Sequence, residues 1–229
     1  MAIIGIVPAA GSALRLQPLE RSKEVLEIAG RPVMDFLVER MRAGGADEIV
    51  AVTRPDKDDV AARAADLGLG VVLGEPRSVS ESILLGLGTA ARDDVALIGF
   101  PDTIWQPVDG FGRLRAALSG DIDVVLGTFG SREPERSDVV VLAGDRVARV
   151  DVKPPRPQSR LVWGCAVARV RALDGLERHD QPGVLFDELA RARRVAAVRL
   201  VGDLVDIGTP EALARAREEL DPPAPPQYE

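Results

Sequence analysis

The residues from Pro8 to Asp35, PAAGSALRLQPLERSKEVLEIAGRPVMD, begin where an apolar run empties into small side chains. Closely spaced backbone amides in such a turn can cradle phosphate oxygens, and Arg15 and Lys23 follow closely enough to add positive charge. Asp102, in Phe100-Pro101-Asp102-Thr103, and Asp206, in Asp206-Ile207-Gly208-Thr209-Pro210-Glu211, put carboxylates at the ends of two apolar runs. Magnesium takes a few carboxylates together with phosphate oxygens and water, so such a pair suits it. Lys153, before Pro154, is a further cation. A phosphate monoester with a second pKa of about 6 is already largely a dianion at neutral pH and needs no general base. The obstacle to its attack on a second phosphate is repulsion between anions, which cations must offset while holding the groups in line. Each residue also has an ordinary role. Asp102 can open a turn, Asp206 can accept from amides before a helix, and Arg15, Lys23 and Lys153 can be solvated surface cations.

The turn is not a dinucleotide fingerprint, because only Gly11 lies in it, and a Walker A loop is absent. The single His179, beside Asp180, reads as solvated. The single Cys165 rules out an intramolecular disulfide and a cysteine metal site; it reads as a small core residue in a reducing compartment.

Apolar periodicity supplies the elements that must position these groups. Ile3 to Val7, Glu48 to Thr53, Gly70 to Leu73 and Val95 to Gly99 read as strands; Arg31 to Ala43, Asp56 to Leu67 and Ser78 to Ala91 read as helices. That alternation implies an α/β fold with right-handed crossovers, a mostly parallel sheet, and ligands beyond the carboxyl ends of its strands. After Asp121 the texture turns β-rich, at Asp123 to Thr128, Asp138 to Leu142, Val147 to Val152 and Leu161 to Val170, with a helix at Leu185 to Arg193. Added antiparallel strands and a small β lid are expected there. Asp203 to Ile207 reads as a last short strand and Thr209 to Leu220 as a helix with Thr209 as N-cap and Pro210 first. Residues 1–220 are thus expected to form one domain, with a nucleotide-binding half at 1–120, a second half at 121–220, and a disordered proline-rich tail at 221–229.

The 229 residues are 46% apolar and 28% charged, enough for a sizeable core. A net charge of −7 lacks the basic excess expected of a protein that wraps nucleic acid. The first residues, without a basic n-region, read as a strand and not a signal peptide, and no apolar run approaches the roughly 20 residues that span a bilayer. A cytoplasmic protein is expected, with neither nucleic acid nor membrane as partner.

Taken in order, these segments resemble the sugar nucleotidyltransferase family, whose N-terminal pattern is G-G-x-G-[ST]-R-L-x-P-L-T followed by [PS]-K. Gly11, Ser12, Arg15, Leu16, Pro18, Leu19, Ser22 and Lys23 fall in register, while Ala10, Ala13 and Leu14 replace two glycines and the Ser/Thr. The resemblance implies a nucleotide-diphospho-sugar transferase fold, a Rossmann-like mixed sheet flanked by helices. By that resemblance Ala9, Ala10, Gly11, Ser12 and Ala13 bind nucleotide, and Arg15 and Lys23 hold the triphosphate and the reacting α-phosphate. Asp102 and Asp206 bind Mg2+. Val152-Lys153-Pro154 resembles E-K-P, which gives Lys153 the sugar phosphate, and Trp163-Gly164 resembles the x-G step of the sugar pocket. The similarity covers nearly the whole chain.

Several positions depart from the pattern. Ser78-Val79-Ser80-Glu81-Ser82 stands where G-L-A-Q-A approaches the base, making Ser78 and Glu81 the nucleotide-binding candidates. Val152 replaces the glutamate that grips sugar hydroxyls, and Asp138 replaces a glycine of the sugar pocket. The phosphate-handling positions survive better than the sugar-reading ones. The expected reaction joins a nucleoside triphosphate, dTTP or UTP favoured, to a sugar 1-phosphate, glucose 1-phosphate favoured, releasing pyrophosphate. The alternatives are a cytidylyl- or guanylyltransferase acting on another phosphorylated alcohol, and an inactive nucleotide-binding regulatory protein. No β-helix repeats follow the last helix, so no appended acyltransferase is expected. A homo-oligomer remains open.

Overall fold

The computed structural model of the protein describes residues 1–144 and 146–220. The proline-rich tail expected at 221–229 lies outside them. Along the chain run β1 (Ile3–Pro8), β2 (Glu27–Ile28), β3 (Arg31–Pro32), α1 (Val33–Ala43), β4 (Glu48–Thr53), α2 (Asp58–Asp66), β5 (Gly70–Leu73), α3 (Val79–Leu87) and β6 (Val95–Gly99). Then follow β7 (Thr103–Ile104), α4 (Gly110–Ala117), β8 (Val124–Gly130), β9 (Val139–Ala143), β10 (Arg146–Asp151), β11 (Leu161–Arg169), α5 (Pro182–Arg191), β12 (Val195–Asp203), β13 (Val205–Asp206) and α6 (Pro210–Leu220).

Nine strands make one mixed sheet in the order β5-β4-β1-β6-β11-β8-β12-β10-β9. The β5-β4-β1-β6 quartet is parallel throughout. β11 runs antiparallel to both β6 and β8, and β12 is again parallel to β8. Strands from both halves of the chain therefore share one sheet. Two small antiparallel pairs, β2–β3 and β7–β13, lie beside it.

The sheet divides the core by the two-residue period of its strands. Ile4, Ile6, Ile98, Leu126 and Ala166 face α3 and α5, where Ile83, Leu87, Leu185 and Phe186 meet them. Val7, Ala51, Leu97, Val125 and Val167 face α1, α2 and α4 through Met34, Leu37, Val60, Phe111 and Leu114. A third cluster, Ile28, Val33, Phe36, Ile104, Ile207 and Ala216, joins the small pairs to α6.

Two elements differ from the sequence expectation. β12 precedes the short strand foreseen at Asp203 to Ile207, in a stretch where Arg199 and Gly202 interrupt any apolar period; parallel pairing with β8 draws it into the sheet. α4 was not foreseen because Gly110 and Gly112 weaken its helical signal. Gly110 is nevertheless required, since a Cβ there would stand 2.5 Å from Trp105. Helix α1 starts at Val33 rather than Arg31, because Arg31 and Pro32 pair with β2. No helix among the described residues is long and apolar enough to cross a membrane.

Gly127 of β8 faces Cys165 of β11, and a Cβ there would run into Cys165 Sγ and stand 3.2 Å from Leu200. Cys165 is fully buried, and burial pushes its thiol far above the ordinary range. Gly127→Ala should therefore cost about 1–3 kcal/mol by overpacking. Adding Cys165→Ala should recover part of that loss, because the offending sulfur is removed. Urea unfolding of the two single variants and the double variant measures the coupling, and strictly additive losses would contradict this contact.

Candidate active site

The carboxyl ends of β5, β4, β1 and β6 share one edge of the sheet, and the loops leaving that edge carry the predicted chemistry. β1 hands over through Ala9, whose amide still donates to Val52 O of β4 at 2.8 Å. Ala13 then takes a left-handed conformation, φ 51°, which turns the chain into a 3₁₀ turn at Leu14–Leu16. A second 3₁₀ turn, Lys23–Val25, brings Lys23 back towards the start of the loop. A Cβ on Gly11 would lie 3.9 Å from Lys23 Nζ. Lys23 in turn donates to Asp102 Oδ2 at 2.6 Å, with both side chains largely buried. Burial opposes the Lys23 charge, but Asp102, Glu24 and Asp206 outweigh it and hold the ammonium above its ordinary pKa.

Asp102 and Asp206 meet through backbone pairing. β7 pairs antiparallel with β13 so that Thr103 faces Asp206, and the Ile207 amide donates to Asp102 O at 3.1 Å. Surrounding protein, then the neighbouring Asp102 charge, raise the Asp206 carboxyl above the usual range, while Lys23 and Arg15 pull it down. Arg15 is close as well. A Cβ on Gly208 would stand 2.7 Å from Asp206 Oδ1 and 2.9 Å from an Arg15 terminal nitrogen. The Gly208 amide donates to Asp206 Oδ1 at 2.5 Å. Gly11, Lys23, Asp102, Asp206 and Arg15 thus form one connected site.

The donor set fits a magnesium ion bound jointly with phosphate. Two adjoining carboxylates, one held partly uncompensated, form an acceptor for a hard cation. Among the described residues no three His, Cys, Asp or Glu side chains gather into a complete protein cage. A cation here would take its remaining ligands from phosphate and water, as Mg2+ does.

The other candidates occupy two further places. Ser78 caps α3 by accepting from the Glu81 amide at 3.1 Å, and Glu81 Oε2 accepts from the Arg77 amide at 2.8 Å. Both side chains serve this helix start, which leaves the same sheet edge after β5. Asp138 is 9% exposed, and its Oδ2 accepts from Trp163 Nε1 at 3.3 Å while Oδ1 has no partner. Burial raises its carboxyl; Trp163 and Lys153 oppose this. Lys153 is exposed, in a left-handed conformation with φ 41°. Gly164 is buried at a bulge between β11 and β8, and the room its missing side chain leaves is filled by Leu204, 2.7 Å from a built Cβ. His179, expected to be solvated, is 16% exposed, with Nε2 3.1 Å from Glu188 Oε1.

Sequence reasoning missed Lys57 and Glu24. Lys57 Nζ donates to Ala9 O at 2.8 Å, Gly11 O at 2.9 Å and Glu24 Oε2 at 2.8 Å. Neither residue stands in a recognisable spacing; the one available signal was an acidic residue directly after Lys23. Also unforeseen were Arg132, Arg136 and Arg215, which border a cavity of about 120 Å³ together with Arg15 and Asp206.

Comparison with known proteins bears on this geometry. The chain is 29% identical to the bifunctional protein GlmU of Sorangium cellulosum, an alignment that covers 95% of this chain and 52% of that one. It is 27% identical to a Sulfolobus acidocaldarius protein provisionally named a mannose-1-phosphate guanyltransferase, covering 95% of this chain and 63% of the relative. The chain thus spans about half the length of the GlmU relative. Among solved structures, a Bacillus anthracis protein provisionally named a glucose-1-phosphate thymidylyltransferase, in complex with a sucrose, superposes with a TM-score of 0.84 at 16% identity over 95% of each chain. An apo UDP-glucose pyrophosphorylase superposes with a TM-score of 0.80 at 16% identity, over 96% of this chain and 98% of the other. These two likenesses establish the fold. The model of the MobA-like NTP transferase domain matches residues 5–195, which hold the loop after β1, Lys23 and Asp102 though not Asp206, and the chain belongs to that family.

Proposed function

We propose that the protein is a magnesium-dependent nucleotidyltransferase that joins a nucleoside triphosphate to a sugar 1-phosphate and releases pyrophosphate. The observation that carries this reading is the pairing of β7 with β13, which seats Asp102 beside Asp206 between Lys23 and Arg15. dTTP or UTP with glucose 1-phosphate is the favoured substrate pair, in keeping with the names of the two structural neighbours.

Lys23, protonated and fixed against Asp102, presents a fixed cation to the α-phosphate, and Arg15 meets the outer phosphates. Magnesium held by Asp102 and Asp206 would supply neutralisation of the phosphate charge. The acceptor phosphate is its own nucleophile, so the protein's task is positioning and charge compensation. Lys153 meets the acceptor phosphate. Asp138, with one buried oxygen unpartnered, accepts from an acceptor hydroxyl.

Pyrophosphate release should appear with a pyrimidine triphosphate and a sugar 1-phosphate, and stop on chelation of magnesium. A panel that includes CTP, GTP and other phosphorylated alcohols measures the preference. Silence across it with nucleotide binding retained would favour a regulatory protein instead.

Asp206→Asn should lower turnover by about 10²–10³-fold. Its urea midpoint should hold, because Asp206 is exposed and the asparagine oxygen can still take the Gly208 amide. Asp102→Asn should lose turnover similarly, and a near-normal rate in either variant would refute the paired-carboxylate reading. Asp138→Asn should raise the acceptor KM by about tenfold while leaving the triphosphate KM alone. Equal changes in both constants would remove Asp138 from acceptor binding.

A further inference from the structure

Lys57 spends its ammonium entirely inside the protein. Its three donors go to Ala9 O, Gly11 O and Glu24 Oε2 at 2.8, 2.9 and 2.8 Å, and its side chain is 10% exposed. None is left for a ligand, so a direct phosphate contact is not its role. The acceptors it chooses are informative.

In a trans peptide the C=O and N–H point in opposite directions. Drawing the Ala9 and Gly11 carbonyls onto Lys57 therefore turns the Ala10 and Ser12 N–H groups towards the other side of the loop. Among the described residues neither amide donates to a protein acceptor. Ala10 is 7% exposed, and an unpaired amide so deep is costly unless a ligand meets it. Gly11, between them, adjoins the Lys23 ammonium. The third bond ties the same ammonium to Glu24, fully buried and directly after Lys23 in the 3₁₀ turn. One cation thereby fixes both arms of the loop, the amide arm and the lysine arm.

We infer that Lys57 is a positioning residue that holds the loop after β1 in its anion-binding shape, directing the Ala10 and Ser12 amides at the outer phosphates of the triphosphate and of the pyrophosphate that leaves. The inference rests on the nucleotidyl-transfer reading, and the two fail separately.

The test uses magnesium pyrophosphate as the probe and the full chain. In the wild-type protein, pyrophosphate should shift the Ala10 and Ser12 amide resonances; binding that leaves both unmoved, or no binding at all, overturns the inference without any variant. Lys57→Met leaves Glu24 buried and unpaired, so the informative variant is Lys57→Met with Glu24→Gln, which removes the stranded charge. That variant should keep its melting temperature while pyrophosphate affinity falls and triphosphate KM rises, each by about tenfold, with acceptor KM within about twofold of wild type. Lys57→Arg should recover part of both losses. Unchanged pyrophosphate affinity in the folded double variant, or equal weakening of both substrates with a lowered melting temperature, overturns the inference. A wild-type protein that binds pyrophosphate through these amides yet turns over no substrate in the panel would sink the transferase reading and leave this one standing.

Discussion

Everything at this site depends on a two-residue backbone pairing between segments about a hundred positions apart. Thr103–Ile104 and Val205–Asp206 make few ladder bonds, and so short a pair is not stable alone. What holds it is the apolar cluster beneath. Ile104 and Ile207 turn into contact with Ile28, Val33, Phe36 and Ala216, burying residues from the start, middle and end of the described chain together. Asp206, directly before Ile207, points away from that cluster and is exposed. A hydrophobic cluster thus seats one carboxylate beside the other.

The seating is electrostatically expensive. Two carboxylates adjoin, and although Asp206 is exposed, the protein around it and then Asp102 hold its carboxyl above its ordinary pKa. Lys23 and Arg15 offset some of that cost, Lys23 through its 2.6 Å bond to Asp102. The chain carries seven excess negative charges, yet the loop after β1 gathers cations. A net charge describes solubility, while an anion site is a local matter of which groups converge.

This division explains what the sequence disclosed. Arg15, Lys23, Asp102 and Asp206 were legible because each sits in a short motif at the end of an apolar run, and the alternation of strands and helices predicted the edge where they gather. Lys57 was not legible. Its work is done by donors reaching backbone carbonyls, and carbonyls leave no mark in the order of side chains. β12 was obscured because Arg199 and Gly202 break its pattern, and only the neighbouring β8 makes it a strand. Ser78 and Glu81 were noticed as a departure near the base, but their spacing is also that of a helix cap, which is the use seen in the fold.

Asp138 and Val152 lie close together at one end of the β9–β10 pair. In the pairing of β9 with β10, Val140 faces Val150 and Val139 faces Asp151, and Asp138 and Val152 flank the end of that ladder. The sequence departed from the resembling pattern at both positions, losing a carboxylate at 152 and gaining one at 138. Those two changes fall at the same end of the ladder, and both side chains converge on Gly183 at the start of α5. Read singly, Val152 suggests a lost function and Asp138 an obstruction. Read together, they leave a carboxylate at 138 in the same local space as the position, 152, that lacks one. The carboxylate at 138 keeps one buried oxygen without a donor, and that oxygen is where we propose an acceptor hydroxyl binds.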